Sequence, residues 1–430
     1  MKILVVSQYW SPENGIPQRR WNWLSDLLIS AGHELVVLAP PPHYERKVTW
    51  RRWAKQVFRS GKRREPLKSR ETIYRVGFVP DTRSLTSRIL NQAIVALTTL
   101  YVGCSLKRTQ DFSPDVVVGT VPALPTAIVA QILGRAFNRP YVIDLRDAWP
   151  ELLEESRHWN KSLGHKSLRE KVLSKGPLQL LLWTTKRALD WSLRRASGVI
   201  LTSSELLKEL EEKHKGNGKQ QLLLVRNVFP SETSHEQKGT RQQHDSLSQL
   251  NVLYAGTLGR AQNLTNAIDA LRECRANGYN VHLRFVGTGA ARDQLVRSSV
   301  DLKDFIEFFP RAEADSLEEH YLWADTALVH LTDWPALRKA VPSKLYELME
   351  HNIHITAVVG GEAAQLVSAA DAGTVVEPEN PSQLSRRWAQ LIEEPGLLNV
   401  SETGKEWVTK QRTNVTAELL ERFFAQIRNG

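Results

Sequence analysis

The first forty residues alternate between short apolar runs and an amphipathic stretch. Residues 3–7 predict a buried strand, and a helix is expected from Pro17, whose ring suits a first helical turn, to Gly32. A second strand is expected over 33–38. The order strand, helix, strand predicts a βαβ unit with a parallel sheet.

The same alternation continues, stops at a polar segment and then restarts. Residues 231–249 contain almost no apolar side chains and indicate an exposed linker. Before the linker, strands are expected at 115–118, 141–144, 198–202 and 222–225, and helices at 122–137 and 204–213. After it, strands are expected at 252–255, 281–286, 306–309, 327–331 and 353–358, and helices at 264–277, 290–298, 343–350 and 381–393. The pattern therefore predicts two α/β domains, 1–230 and 250–430. Domains of this kind bind ligands at the carboxyl ends of their strands.

The charge differs between the two halves. The net charge is +10 over 430 residues, but residues 1–230 hold 37 Lys and Arg against 20 Asp and Glu, and the remainder holds 20 against 27. A strongly basic half indicates an anionic partner, which could be nucleic acid, acidic lipid or a phosphorylated substrate. Nucleic acid is disfavoured, because no recognition helix or RNA-stacking motif accompanies the charge.

Two basic segments of the first half also carry apolar side chains. Residues 45–75 hold 12 Lys and Arg against three Glu, and 177–195 combine apolar and basic faces at helical spacing. Both suit an interfacial helix on anionic lipid. The longest apolar stretch, 93–106, falls short of the roughly 20 residues of a membrane span, so none is expected. Two distant cysteines favour a reducing, cytoplasmic compartment.

Three glycine-containing turns follow predicted strands. Gly15 precedes the first helix and leaves room for a phosphate or sugar, and Arg19 and Arg20 follow in the first turn as candidate anion ligands. A plain turn glycine with two solvated arginines is an equal alternative. Gly256 and Gly259, followed by Arg260, offer backbone amides and a guanidinium to a diphosphate. A further turn, 360–362, places Glu362 at a helix start.

Two charged segments complete the candidate chemistry. Ser343, Lys344 and Glu347 could hold a phosphate and a ribose diol, but a capping box would explain them without a ligand. The segment 144–150 places Asp147 after a strand, and a structural Arg–Asp pair is the competing account. The histidines show no metal-ligand spacing, so no metal is expected.

Taken together, five segments resemble glycosyltransferase family 4, the retaining GT-B enzymes, and most closely its fucosamine-transferase-like branch. The segments are SQYWSPENGIPQRR, IDLRDAWPELL, YAGTLGRAQNL, FVGTGAARDQL and VPSKLYELMEHNIHITAVVGGEAAQLV. The resemblance covers nearly the whole chain. It implies two Rossmann-like domains facing each other across a cleft, with the C-terminal helix packed back on the first domain.

The resemblance also implies an activity: transfer of a sugar from a nucleotide diphosphate sugar, with UDP favoured, to a lipid-linked or polysaccharide-precursor acceptor. No metal or other cofactor is expected, and the enzyme would lie on the inner face of the cell membrane. Catalysis would rest on stabilising the departing diphosphate. Asp147, Arg260 and Lys344 would be catalytic, and the donor would contact Gly15, Gly256, Gly259, Arg311, Ser343, Glu347 and Glu362.

Three positions depart from the family pattern. Thr257 and Gln262 replace the common phosphate-binding arginine and lysine, and Lys339 replaces the first carboxylate of a Glu-x7-Glu pair. Arg260 and Lys344 would then supply the positive charge. The departures keep open the alternative of a non-catalytic sugar-nucleotide-binding protein. A second alternative is a GT-B epimerase or hydrolase of nucleotide sugars, which should carry acid/base carboxylates and needs no lipid-facing surface.

Overall fold

The fold is known from a computed structural model that divides the chain into two compact units. It describes residues 1–13, 15–42, 53, 60–61, 64–79, 85–109, 112–121, 124–146, 177–214, 220–231, 247–312 and 314–429. Of these, the residues up to 229 and from 414 onward form the first unit, and 230–413 form the second. Asp147 and most of the expected linker lie outside the described residues.

Each unit is built around a mostly parallel sheet with helices on its faces. The first unit contains strands β1 (Lys2–Val6), β2 (Glu34–Ala39), β3 (Arg64–Lys68), β4 (Glu71–Arg75), β5 (Val116–Val121), β6 (Tyr141–Leu145), β7 (Gly198–Leu201) and β8 (Gln221–Leu224). They lie in the order β3-β4-β2-β1-β5-β6-β7-β8, and every neighbouring pair is parallel except β3 and β4. Ile3, Leu4 and Val5 of the central strand are fully buried, as expected for a sheet covered on both faces.

The helices of the first unit bury one stripe each. In the described residues before 230 they are α1 (Ile16–Ser30), α2 (Leu85–Thr109), α3 (Pro125–Phe137), α4 (Pro177–Arg195) and α5 (Ser204–Lys213). In α1 the buried stripe includes Trp21, Leu24 and Leu28, as the sequence predicts. Pro17 lies in its first turn, and Gly15 is its N-cap.

The second unit repeats the architecture with six parallel strands. These are β9 (Leu250–Ala255), β10 (Val281–Val286), β11 (Ile306–Phe309), β12 (Thr326–His330), β13 (Ile355–Val358) and β14 (Gly373–Val376). Their order is β11-β10-β9-β12-β13-β14. The helices are α6 (Thr265–Ala276), α7 (Arg292–Ser298), α8 (Ala314–Trp323), α9 (Pro335–Arg338), α10 (Ser343–Glu350), α11 (Gly361–Ala369), α12 (Pro381–Glu393) and α13 (Thr403–Lys410). The predicted cap of α12 forms, because the Asn380 side chain accepts a hydrogen bond from the Gln383 amide at 3.0 Å.

The last helix, α14 (Thr416–Asn429), belongs to the first unit, as the expected fold class requires. Its Phe423 and Ile427 pack directly on β7. A Cβ atom at Gly198 would lie 2.5 Å from Phe423 Cζ and 2.8 Å from Ile427 Cδ1, so only glycine permits this approach.

The structure describes only part of the first basic segment. Residues 64–75 contain the antiparallel pair β3 and β4, whereas most of 45–63, on which the predicted interfacial helix would fall, lies outside the described residues. Two of the basic residues in the described part pair with acidic residues of the same unit. Arg75, which is buried, pairs with Glu65 at 2.8 Å, and Lys68 pairs with Asp26 at 2.6 Å. The second basic segment does form a helix, α4, as its spacing predicts.

The expected apolar stretch 93–106 lies within a longer helix. The part of α2 from Ile89 to Arg108 has a mean hydropathy of 1.5 and is, by length and composition, long and apolar enough to cross a membrane; 28% of that window is buried. The prediction that the apolar stretch is too short for a span is therefore wrong for the folded helix. Thr98 and Thr99 do not interrupt the helix, because their hydroxyls donate to the carbonyls of Ile94 and Val95 one turn earlier.

Candidate functional site

The loops at the carboxyl edge of the second sheet form the candidate site. The strand order reverses between β9 and β12, and open α/β sheets bind ligands outside the carboxyl ends of strands at such a reversal. Gly256 directly follows β9, and Leu331 directly follows β12. The Thr332 amide donates to the Ala261 carbonyl at 2.9 Å, which ties the loops after these two strands together.

Two glycine loops lie in contact at this edge: the first is 256–259, after β9, and the second is 287–289, after β10. The Leu258 amide donates to the Thr288 carbonyl at 3.0 Å, and the Ala291 amide donates to the Leu258 carbonyl at 2.9 Å. A Cβ atom at Gly287 would lie 1.8 Å from the Gly256 carbonyl oxygen, and one at Gly289 would lie 2.1 Å from that of Leu258. No side chain fits at either position, so Gly287 and Gly289 permit the close approach that these backbone hydrogen bonds maintain.

The first glycine loop ends in a short helical turn that contains Arg260. Gly259 caps this 3₁₀ turn, which spans Arg260–Gln262, and Asn263 ends it with a left-handed φ of 40°. Arg260 is partly exposed. The phenol of Tyr254 donates to the Thr257 carbonyl at 2.8 Å, which fixes the loop from the strand side. Burial raises the pKa of Tyr254, so this donor stays protonated.

A buried histidine lies beneath the same turn. His330, the last residue of β12, has its Nε2 atom 3.0 Å from Asn266 Nδ2. Burial lowers its pKa to about 3, although the Gln262 main chain opposes the shift. His330 is therefore neutral at physiological pH, and Nε2 accepts the amide proton of Asn266. It is thereby bonded to the first turn of α6, which follows the Arg260 turn, and no motif in the sequence indicates this contact.

The start of α10 brings together the charged residues predicted there. Lys344 Nζ lies 2.9 Å from Glu347 Oε2 and 3.0 Å from the Tyr321 hydroxyl, which donates to Glu347 Oε1 at 2.7 Å. Tyr321, a residue of α8, therefore bridges the lysine and the carboxylate. We call these three residues the α10 cluster. No sequence pattern predicts that Tyr321 belongs to this cluster, because it lies more than twenty residues before Lys344 and Glu347.

The capping-box alternative for this segment is wrong. The helix begins at Ser343 with Pro342 as its N-cap, and no side chain caps it. Ser343 therefore lies inside the first turn, and its backbone amide is one of those without an intrahelical partner. The Glu347 carboxylate is directed to Lys344 and Tyr321, so its hydrogen bonds serve the α10 cluster and not the helix start.

The turn before α11 lies against the segment that precedes α10. A Cβ atom at Gly361, which has a φ of 63°, would lie 1.9 Å from the Arg338 carbonyl oxygen. Glu362, in the first turn of α11, is buried. The side chain of Arg338 pairs with Asp333 at 2.7 and 2.9 Å, and this contact holds the pKa of Asp333 below its usual value. Lys339, which stands in place of the first carboxylate of the family's Glu-x7-Glu pair, follows immediately and so lies beside this turn.

Arg311 lies apart from the other predicted residues of the second unit. It follows β11, the edge strand, which is two strands from β9 and thus roughly 10 Å away at ordinary strand spacing. The side chain is exposed. Among the described residues of both units, no group of three His, Cys, Asp or Glu side chains could hold a metal ion.

In the first unit, one predicted anion ligand is structural. Arg20, which the sequence places near Gly15, is fully buried and pairs with Asp144 at 2.9 Å. Arg20 also donates to the Val225 carbonyl and to Asn227 Oδ1, both at 2.9 Å. A structural Arg–Asp pair thus exists at Asp144, as the competing account expected, but its arginine comes from α1.

Comparisons with known proteins agree with this architecture. Residues 17–227 match the family described as "Glycosyl transferase 4-like domain", and residues 237–410 match "Glycosyl transferases group 1". Escherichia coli K12 WcaI, whose name links it as a glycosyl transferase to colanic acid biosynthesis, is 25% identical over 396 residues, which are 89% of this chain and 90% of WcaI.

Solved structures share the fold over the full length. Sucrose-phosphate synthase from Thermosynechococcus elongatus superposes with a TM-score of 0.66 at 14% identity, covering 99% of this chain and 98% of that chain. Anabaena HepE in complex with UDP-glucose gives 0.61 at 15% identity, covering 99% and 100%. The two family matches and the full-length relative show that the chain belongs to the family 4 glycosyltransferases, and the solved structures show that it has their GT-B fold.

Proposed function

We propose that this glycosyltransferase takes a sugar from a nucleotide diphosphate donor, with UDP-sugars favoured, and transfers it to a lipid-linked or polysaccharide-precursor acceptor. The transfer retains the configuration of the sugar and needs no metal. The observation that carries the proposal is the α10 cluster, whose helix α10 follows β12, together with the glycine loop that follows β9, the neighbour of β12 at the strand-order reversal. The UDP-glucose complex of HepE and the name of WcaI support the donor and acceptor classes.

The donor would bind with its diphosphate over the two glycine loops. Backbone amides near Gly256 and Gly259 and the Arg260 guanidinium suit phosphate oxygens. Lys344 would exchange its contact with Glu347 for a phosphate oxygen, and the Ser343 amide at the helix start would add a donor. This positive charge would stabilise the diphosphate as it leaves, which is the main catalytic demand of the reaction.

Release of Lys344 would leave Glu347 free to accept two hydrogen bonds from a ribose diol. Tyr321 would keep the carboxylate oriented during this exchange, because its hydroxyl contacts Glu347 directly. Arg311 would lie toward the nucleotide base of the donor. The start of α11, with Glu362, would lie toward the sugar that is transferred. Gly15 and Asp147 of the first unit would contact the reacting sugar.

The test is nucleotide release from a panel of UDP-, GDP-, ADP- and CMP-sugars, with EDTA present and a bacterial lipid extract as acceptor. We expect lipid-dependent release from one donor. Lys344→Ala should lower the rate by about 10–100-fold, the value of a lost charge-assisted hydrogen bond of about 1.5–3 kcal/mol. Glu347→Ala should raise the KM for the donor by a comparable factor.

A matched control comes from the same unit. Lys405 pairs with Glu402 at 3.5 Å across one helical turn, as Lys344 does with Glu347, but on an exposed surface. Lys405→Ala should leave the rate unchanged. Equal losses in both lysine variants would refute the assigned role of Lys344. Tight UDP binding without release from any donor would favour the alternative of a non-catalytic sugar-nucleotide-binding protein. The loss of activity would then be explained by Gln262 and Lys339, which replace a lysine and a carboxylate of the family pattern.

A further inference from the structure

Three helices of the first unit lie side by side and expose a common outer surface. A Cβ atom at Gly103 of α2 would lie 2.7 Å from Leu133 Cδ2, so α2 and α3 approach closely at this glycine. On the other side of α3, the Ser192 hydroxyl of α4 donates to the Ala127 carbonyl at 3.1 Å. We call the outward side of α2, α3 and α4 the three-helix surface.

The outward stripe of α2 is apolar. Val95, Thr99, Val102 and Leu106 are buried at helical spacing. The opposite stripe is exposed and reads Leu90, Ala93, Leu97 and Tyr101, with Leu97 62% and Tyr101 65% exposed. A helix on the surface of a soluble domain normally has polar residues on its outward stripe. The stripe extends for roughly 16 Å and is continued by Ile132, an exposed residue of α3.

The outward side of α4 carries tryptophans with arginines stacked on them. Trp183 is 57% exposed, and the Arg187 guanidinium lies 5.3 Å from its ring centroid. Trp191 lies between two guanidinium groups, those of Arg135 at 5.1 Å and Arg195 at 4.7 Å. Exposed indole rings beside basic side chains are characteristic of surfaces that lie at the lipid headgroup level.

The charge of the three-helix surface has one sign. The sequences of α2, α3 and α4 contain three, one and four Lys or Arg residues, which is eight in total, against the single acidic residue Asp190. Six of the basic side chains are exposed: Lys107, Arg108, Arg135, Arg187, Arg194 and Arg195. A protein partner of this surface would need a large acidic and apolar face, whereas an anionic bilayer offers both properties everywhere.

We infer that the three-helix surface docks on an anionic phospholipid bilayer, with the α2 stripe and the exposed tryptophans at the acyl boundary and the arginines among the headgroups. The inference rests on the proposed lipid-linked acceptor and names the surface that brings the enzyme to it. The helix α2 lies on the bilayer and does not cross it, because its Val95–Leu106 stripe is packed against the protein. The docking residues differ from those predicted in 45–75; in the described part of that segment, Lys68 and Arg75 pair with acidic residues of the same unit.

The experiment is co-sedimentation of the full chain with vesicles of phosphatidylcholine, alone or mixed with phosphatidylglycerol. The unsubstituted protein should bind only the mixed vesicles, and high salt should weaken binding. Leu97→Glu/Tyr101→Glu should reduce the partition coefficient at least about tenfold. Arg187→Gln/Arg194→Gln should reduce it about fivefold for each basic side chain removed. Leu322→Glu is the matched control, because Leu322 is an equally exposed leucine (61%) in the second unit. This variant should bind the mixed vesicles as the unsubstituted protein does.

UDP binding by calorimetry, measured on the same proteins, separates the two proposals. Normal UDP affinity in variants that no longer bind vesicles supports the inference, and an unchanged unfolding transition of the first unit, which carries the substitutions, excludes misfolding as the cause. Vesicle binding that persists in both double variants, or no binding of the unsubstituted protein to mixed vesicles, would overturn it. A stable dimer that Leu97→Glu/Tyr101→Glu dissociates would also overturn it, since the stripe would then be a contact between two copies. Failure of UDP binding in every protein would count against the proposed function alone.

Discussion

The buried pair between Arg20 and Asp144 makes a sharp prediction about stability. Both side chains are fully buried, and the carboxylate accepts hydrogen bonds on both oxygens, from Arg20 at 2.9 Å and from the Trp21 indole at 2.8 Å. In Asp144→Asn, either orientation of the amide would direct an NH₂ group at one of these two donors. The variant would also leave the guanidinium buried without a counter-charge.

The expected cost follows from this geometry. Removing one partner of a buried ion pair costs about 3–5 kcal/mol. In a domain of this size, each kcal/mol corresponds to roughly 2–4 °C in the unfolding midpoint, so Asp144→Asn should lower that midpoint by roughly 6–20 °C. Differential scanning calorimetry measures the shift, and it should appear in the transition of the first unit.

Two further variants determine what the shift means. Glu418→Gln breaks the exposed pair of Glu418 with Arg422 in the same unit and should leave the midpoint unchanged. Arg20→Met/Asp144→Leu removes both charges together and should recover much of the loss, because no unpaired charge then remains. A midpoint within about 2 °C of the unsubstituted protein for Asp144→Asn would show that the pair contributes little and that water reaches Arg20.

Three other predictions concern the second unit. Gly287→Ala should weaken UDP binding more than tenfold, by the steric clash with the Gly256 carbonyl, and calorimetry that shows normal affinity would contradict the loop packing. Because the pKa of His330 is lowered in the folded state to about 3, the unfolded chain binds more protons below pH 6.5, so the free energy of unfolding should fall by about 1.4 kcal/mol per pH unit from pH 6.5 toward 3. His330→Asn should lose that part of the slope in denaturant titrations at several pH values. Burial raises the pKa of Cys274 to about 11, so a colorimetric thiol reagent should find only Cys104 in the native protein and both thiols after denaturation.

The strands and helices were predictable where one local pattern decided them. Strands β10 and β11 and helices α5 and α10 have the predicted bounds, because their apolar spacing leaves no competing assignment. The pair β3 and β4 was missed, since its charged residues resemble a solvated segment. Only the folded unit shows that Glu65 and Asp26 neutralise them.

The candidate site was predictable only where its residues are close together in the sequence. Lys344 and Glu347 are one helical turn apart, so a sequence pattern can place them together. Tyr321 and His330 reach the site from other elements, and no local motif records that approach. Arg20 shows the opposite error, because a basic residue beside a glycine turn looks like an anion ligand until its buried partner Asp144 is seen.

The return of α14 to the first unit affects how the protein forms during synthesis. The surface of β7 that contacts Phe423 and Ile427 is made early, but its cover emerges from the ribosome more than 200 residues later, roughly 10–40 s at ordinary elongation rates. The second unit can complete its sheet within that interval. The part of the protein that is translated first is therefore completed last, and a nascent chain cut short near residue 415 would damage the N-terminal unit.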